Sequence, residues 1–217
     1  MRRVAVLLAT LALAVPSTAA RAEDDFEFWL NPSVAMDVGG DTELEFETAQ
    51  RLRDEGNGRQ DTYFFRLWVN HKFSKAVGVG AAVERRINTP GANETRTMQQ
   101  LNLRHGVLRG RARLEQRFIE NAAQTGWRLR LRAGVDVPLG DESPWSFFAN
   151  AEPFITLRAT SRTGLEGFSA LRTQIGVSRE INDNLEVSLG YLRQQDVQRN
   201  RPDTVGHAPI VGIELSF

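Results

Sequence analysis

Cysteine is absent from this chain of 217 residues, which excludes disulfides, iron–sulfur clusters and thiolate zinc sites. An excess of one charge is absent too, since 27 basic side chains balance 27 acidic ones. Without a basic excess the chain has no general electrostatic footprint for nucleic acid. We therefore expect no nucleic-acid partner.

A long apolar run is also missing after the first fifteen residues. The chain starts with two arginines, an apolar run over 4–15 and small residues that include Ala20 and Ala22. This order is typical of a cleaved secretory signal peptide, and the run is shorter than the roughly 20 residues that a spanning helix needs. We therefore expect a signal peptide at 1–22 and one mature domain at 23–217, with no membrane-spanning helix.

Recognisable catalytic and metal-binding motifs are missing as well. The sequence holds no glycine-rich phosphate loop, no histidine pair at metal-ligand spacing and no acidic calcium loop. Its histidines, His71, His105 and His207, have no serine two residues away, as a compact lipid-modifying site would need. We expect no catalytic residue, cofactor or metal ion. An outer-membrane enzyme acting on lipid stays as an alternative, because a triad is defined by geometry rather than by sequence spacing.

Strict alternation is what the chain does contain, most clearly over residues 127–137. Apolar side chains there alternate with Arg128, Arg130, Arg132, a glycine and an aspartate. A period of two indicates an extended strand, and at about 3.3 Å per residue this one reaches roughly 36 Å, enough to cross a bilayer at a tilt. An arginine that faces lipid near the midplane costs about 2–4 kcal/mol. The apolar face is therefore expected to lie outside.

Ten further segments alternate in the same way, at 26–36, 44–48, 63–73, 77–87, 101–107, 112–118, 145–151, 173–177, 185–191 and 211–217. Short turns, one of them at Arg109 and Gly110, alternate with longer polar loops. We predict an all-β fold, a single antiparallel up-and-down transmembrane β-barrel with short periplasmic turns and longer external loops. Bacterial barrels have an even number of strands and both termini in the periplasm, so we expect ten to twelve strands. The first segment is the doubtful one, because Pro32 interrupts it and Trp29 falls on its polar phase.

Several stretches of the chain carry a resemblance. They are RARLEQRF from Arg111, WRLRLRAGVDVPL from Trp127, NAEPF from Asn150 and LGYLRQ from Leu189, together with a last strand that ends at Phe217. The chain resembles a family of outer-membrane proteins catalogued as domain of unknown function 2490. The terminal Phe217 looks like the signal by which the bacterial barrel-assembly machinery recognises its clients. The resemblance implies a barrel in the bacterial outer membrane, with lipid and that machinery as partners, and it implies no reaction.

Charged side chains of the polar phases are the candidate lining of the barrel interior. They are Arg104, Arg111, Arg113, Arg117, Arg128, Arg130, Arg132, Glu43, Glu45, Glu47, Glu115 and Glu152. In one interpretation these charges pair across a narrow interior and fill it, which suits a structural wall protein. In the other, a basic face opposes an acidic one in a water-filled pore, and the protein is a narrow passive channel for small anionic solutes.

A third hypothesis inverts the two faces of the barrel. Leucines and valines would then point inward, and the protein would be a secreted soluble barrel that binds an apolar ligand. The long strands and the terminal Phe217 argue against it.

Overall fold

The computed structural model describes residues 24–53, 61–89, 91–199 and 202–217. The predicted signal peptide at 1–22 lies outside these residues. The strands are β1 (Asp24–Gly39), β2 (Thr42–Arg53), β3 (Asp61–Lys72), β4 (Val77–Thr89), β5 (Glu94–His105), β6 (Leu108–Ile119), β7 (Gly126–Pro138), β8 (Trp145–Arg158), β9 (Gly167–Asn182), β10 (Leu185–Asp196) and β11 (Thr204–Ser216). Among the described residues, no helix is long and apolar enough to cross a membrane.

The strands close into one barrel in which each strand pairs with its neighbours along the chain. The predicted all-β barrel is thus confirmed, and its eleven strands fall within the predicted ten to twelve. Two finer expectations are wrong: the strand number is odd, and the closing pair of β1 and β11 is parallel. The second follows from the first, because in an up-and-down series of odd number the first and last strands run in the same direction.

Because the strand number is odd, the start of β1 and the end of β11 lie at opposite ends of the barrel. Residues 40–41, 73–76, 106–107, 139–144 and 183–184 connect strands at one end, here called the turn end. The opposite end of the barrel, here called the loop end, holds the strand ends that the other five connections join. Asp24 pairs with Val205 at the loop end, whereas Phe217 follows β11 at the turn end. The expectation that both termini lie on one side is therefore wrong.

The doubtful first segment belongs to the wall. Trp29 points inward and is 5% exposed, so its place on the polar phase reflects an aromatic ring in the interior. Pro32 pairs with Ile213 of β11, while the pairing of β1 with β2 steps from Leu30 to Ser33. Proline, which lacks the N–H group, thus interrupts one ladder without removing the strand.

One turn lies elsewhere than the sequence indicates. The β5–β6 connection is at residues 106–107, and Arg109 and Gly110 already belong to β6. Gly106 adopts a φ of 55°, a left-handed conformation that glycine reaches without steric cost. Its conformational freedom, rather than the Arg–Gly pair, places the turn.

The two faces of the wall differ sharply in polarity. The apolar phases point outward, where Leu67 is 54%, Val83 55% and Leu189 59% exposed. The polar phases point inward, where Glu84 and Glu152 are fully buried. The inverted arrangement, with leucine and valine inside, is therefore wrong in phase. The interior of this barrel thus combines buried charged side chains with small apolar clusters such as that of Trp68, Ala82 and Met98.

Candidate functional site: the arginine-lined lumen

A cavity of about 1310 Å³ occupies the lumen. Its lining includes Lys75 in the β3–β4 turn and Ala92 in the β4–β5 connection, so it extends towards both ends of the barrel. The inward phases of the strands supply the lining because alternate side chains of a strand point to one face. This cavity is the candidate site.

The structure brings the sequence-predicted residues together around this space. Ten of them line the cavity: Arg104, Arg111, Arg113, Arg117, Arg128, Arg130, Arg132, Glu43, Glu45 and Glu47. Glu115 and Glu152 also point inward, but both are fully buried behind arginines. The predicted assembly signal Phe217 lies at the turn end with 70% of its surface exposed.

Two of the three fully buried glutamates are Glu115 and Glu152, and each is surrounded by arginines. Arg128 and Arg130 reach Glu115 at 2.5 and 2.9 Å. Arg130 also reaches Glu152 at 2.6 Å, and Arg111 binds the other oxygen of that carboxylate. Each carboxylate thus contacts more than one guanidinium group.

Glu84 is the third such glutamate. It binds Arg66, and it lies 3.2 Å from Arg86 and 3.4 Å from Arg96. Arg96 also lies 4.0 Å from Glu115, so it joins two of the buried carboxylates. These ion pairs form one connected network along the wall.

We call the continuous series of ion-paired side chains in this network the charge ladder. It comprises one residue from each of β2 to β8, with alternating sign: Glu47, Arg66, Glu84, Arg96, Glu115, Arg130 and Glu152. Its members pair between neighbouring strands rather than across the barrel. The Cβ atoms of directly paired residues on adjacent strands are about 5 Å apart. Side chains of opposite charge on neighbouring strands therefore meet without spanning the lumen.

Sequence reasoning did not select three members of the charge ladder, Arg66, Glu84 and Arg96, nor Arg172 on β9. Alternation of sign holds only at the level of the charge ladder, since the other inward charges of β5, β6 and β7 are mainly arginines. That alternation is visible only after the strands are aligned in register. The acidic segment of β2 is likewise divided among its neighbours, with Glu47 on Arg66 and Glu45 accepting from Asn70 at 3.2 Å.

Inward aromatic rings carry further guanidinium groups. Arg51 lies 3.8 Å from the centroid of Trp29, and Arg172 lies 4.9 Å from it. Arg113 lies 4.7 Å from the ring of Trp68. A cation over an aromatic face gains about 0.5–2 kcal/mol, the larger value when desolvated. These aromatic rings therefore stabilise arginines that form no ion pair with a carboxylate of the described residues.

Four of the cavity-lining arginines have no carboxylate within ion-pair distance among the described residues: Arg51, Arg104, Arg113 and Arg172. Arg113 and Arg172 instead donate to the amide oxygens of Gln100 and Gln194 at 2.7 and 2.5 Å. Neutral acceptors leave the positive charge uncompensated. The middle of the lumen therefore has a surplus of positive charge.

Glycines allow close packing of the strands around the lumen. A Cβ atom on Gly176 would lie 2.5 Å from the ring of Phe148 and 2.5 Å from the carbonyl oxygen of Leu189. Only glycine fits there without displacing its neighbours. Gly134 and Gly212 line the cavity and are packed as closely, since a Cβ atom would lie 2.5 Å from the carbonyl oxygen of Ala149 at the first and even closer to Oγ of Ser188 at the second.

At the loop end, Glu120 in the β6–β7 connection binds both Arg85 of β4 and Asn93 of the β4–β5 connection. Arg85 donates to Glu120 at 2.6 Å, and Glu120 also accepts from the backbone N–H of Asn93. The hydrogen bond from Arg85 holds the pKa of the Glu120 carboxyl below its ordinary value. Within the described part of the chain, no group of three or more histidine, aspartate or glutamate side chains is arranged to hold a metal ion.

Comparisons with known proteins give a family and a relative. Residues 26–205 match the model of a family described as protein of unknown function (DUF2490). An uncharacterized protein of Methylorubrum extorquens strain AM1 is 29% identical over 208 residues, which cover 89% of this chain and 90% of that protein.

Proposed function

This chain belongs to the DUF2490 family, and we propose that it is a bacterial outer-membrane β-barrel that forms a narrow passive channel for small anionic solutes. The family description names no activity, so the proposal rests on the barrel itself. Its partners are outer-membrane lipid, the barrel-assembly machinery during insertion and the permeating anions.

The outer surface supports the membrane location. Large apolar side chains are exposed on every strand from β1 to β10, and contiguous apolar surface of this kind is typical of a membrane or protein contact rather than of a soluble monomer. Aromatic residues mark both ends of this surface, with Phe26 and Phe168 near the loop end and Phe73 and Trp145 near the turn end. Two aromatic bands around an apolar wall are typical of outer-membrane barrels.

The last strand supports recognition by the assembly machinery. The backbone of Phe217 closes the barrel, since its N–H donates to Ala35 at 3.0 Å and its carbonyl oxygen accepts from Asp37 at 2.9 Å. Its ring remains exposed at the turn end. Because these hydrogen bonds join the end of the chain to β1, we expect the assembly machinery to bind this strand before β1 and β11 pair.

The observation that carries the channel is the set of uncompensated arginines. Three of them, Arg51, Arg113 and Arg172, line a cavity that extends towards both ends of the barrel, and no carboxylate of the described residues lies within ion-pair distance of their guanidinium groups. Anions are therefore attracted into the middle of the lumen, and fixed positive charge in a pore selects against cations.

Planar bilayers provide the test. The purified mature barrel is expected to give conductance steps with a preference for chloride over potassium, and the preference weakens as salt screens the field. The double variant R113Q/R172Q is expected to lower this preference while conductance persists, because both side chains bind neutral amides. R179Q is the matched control, since Arg179 lies outside the lumen near Trp145. A heat-modifiable barrel without conductance steps would overturn the channel.

A structural wall protein is the second candidate. The observation that favours it is the charge ladder, in which buried glutamates and arginines fill the interior wall. The same bilayer experiment separates the two candidates. An inserted barrel that conducts no ions at any salt concentration supports the wall protein.

Location has a separate test in cell fractionation. The mature protein is expected in the outer-membrane fraction and is expected to migrate differently before and after boiling, because a closed ladder leaves no edge to unravel. Recovery in the soluble periplasmic fraction without such a shift would contradict the membrane proposal.

A further inference from the structure

The half of the lumen near the turn end has walls of opposite charge. We call this half the turn-end chamber. Its basic wall carries Arg104, Arg111 and Arg132 on β5, β6 and β7. Its acidic wall carries Glu45 on β2 and Glu214 on β11, joined by Glu43 and Glu186.

Strand order places these walls opposite each other. β6 is five strands away from β11 in one direction and five away from β1 in the other. It therefore lies across the bore from the acidic wall. Arg104 and Glu214 are close enough to interact electrostatically although their strands are not neighbours. The resulting field runs across the pore axis.

Each wall also holds hydrogen-bonding groups without a partner among the described residues. On the basic wall these are the Nε–H donors of Arg111 and Arg132. On the acidic side they are the Oδ1 acceptors of Asn31 and Asn70. The amide of Asn70 donates to Glu45, which leaves its oxygen as the free acceptor. Buried polar atoms without partners cost about 1–3 kcal/mol each, so water or the polar groups of a bound solute are expected to satisfy them.

We propose that the turn-end chamber selects small zwitterionic solutes, compounds that carry an anionic and a cationic group a few bonds apart. The anionic group faces Arg111 and Arg132, and the cationic group faces Glu45 with the oxygens of Asn31 and Asn70. A dipolar solute aligns with the transverse field, whereas a neutral solute of the same size gains nothing from it. This inference rests on the proposed channel and adds a second class of solute to its anions.

Liposome swelling with two solutes of matched size tests the proposal. Alanine is a zwitterion, and lactamide is neutral with the same number of heavy atoms. After subtraction of the rates of protein-free vesicles, alanine is expected to enter about tenfold faster than lactamide, the lower end of what field focusing achieves. In the double variant E45Q/R132Q this ratio is expected to fall to near one, with the lactamide rate unchanged.

The controls isolate the chamber. E142Q and R162Q make the same chemical changes at exposed positions of a turn and a loop, and they are expected to leave the ratio unchanged. Heat modifiability reports that each variant is folded. Equal entry of alanine and lactamide through a working channel overturns the inference alone, as does a ratio that E45Q/R132Q leaves unaltered. Entry of neither solute through a folded barrel overturns the channel itself.

Discussion

Arg130 shows how much a single residue depends on its partners. From the sequence it is one of several arginines on a polar phase, exchangeable at little cost unless it belongs to a buried ion pair. In the structure it is 6% exposed and binds both Glu115 and Glu152. Loss of the Arg130 guanidinium leaves the buried carboxylates of Glu115 and Glu152 with less positive charge beside them.

R130Q is therefore expected to lower the free energy of unfolding by about 3–5 kcal/mol, the cost of breaking a buried pair from one side. Urea unfolding in lipid vesicles measures it. R104Q is the matched control, because Arg104 is exposed at the turn end, and it is expected to cost less than about 0.5 kcal/mol. Equal costs for the two variants would show that the charge ladder is not buried.

The neighbouring residue tests the outer face. Leu131 points outward and is 39% exposed. L131R is expected to cost about 2–4 kcal/mol in vesicles, because it places a guanidinium in hydrocarbon. L165R makes the same change in the β8–β9 connection and is expected to cost within about 0.5 kcal/mol. If both changes cost the same, lipid does not cover the face that carries Leu131.

At the scale of elements, the parallel seam between β1 and β11 is the feature that distinguishes this barrel. Ser33 pairs with Glu214 across the seam, and Glu214 pairs with Glu186 on its other side. Cysteine is absent from the chain, so a disulfide between two introduced cysteines reports directly which strands are paired and in which register.

The pair S33C/E214C is expected to form a disulfide on mild oxidation, because Cα atoms of paired strands lie within the roughly 4.4–6.8 Å that a disulfide spans. The pair S33C/E186C is expected to remain reduced, since two inter-strand spacings amount to about 9–10 Å. Non-reducing gels of the boiled protein show the cross-link as a mobility shift. Cross-linking of the second pair instead of the first would mean that β10 lies next to β1.

At the scale of the whole molecule, the odd strand number determines where the ends of the barrel lie. The start of β1 and the β8–β9 connection share the loop end, and the β9–β10 connection at 183–184 lies at the turn end. This differs from the even-stranded barrel that the sequence leads one to expect.

Epitope labelling of intact cells tests this topology. Antibody is expected to reach an epitope placed directly before Asp24 and one within 159–166, and not one inserted at 183–184, because the lipid bilayer separates the two ends. In permeabilised cells all three are expected to be labelled. An epitope before Asp24 that groups with the 183–184 epitope would require an even number of wall strands.

The sequence by itself determined where the strands lie and which side chains face inward. Arg128, Arg130 and Arg132 alternate with apolar neighbours, and a period of two is a local property that follows from the pleat of any extended backbone. Only the tertiary structure decided the partner of each charge and the closure of the barrel. Arg128 meets Glu115, and Pro32 sits in a parallel seam, because inter-strand register and closure depend on all strands at once. A local shift such as the bulge beside Arg128 changes every pairing beyond it, and no single segment encodes that shift.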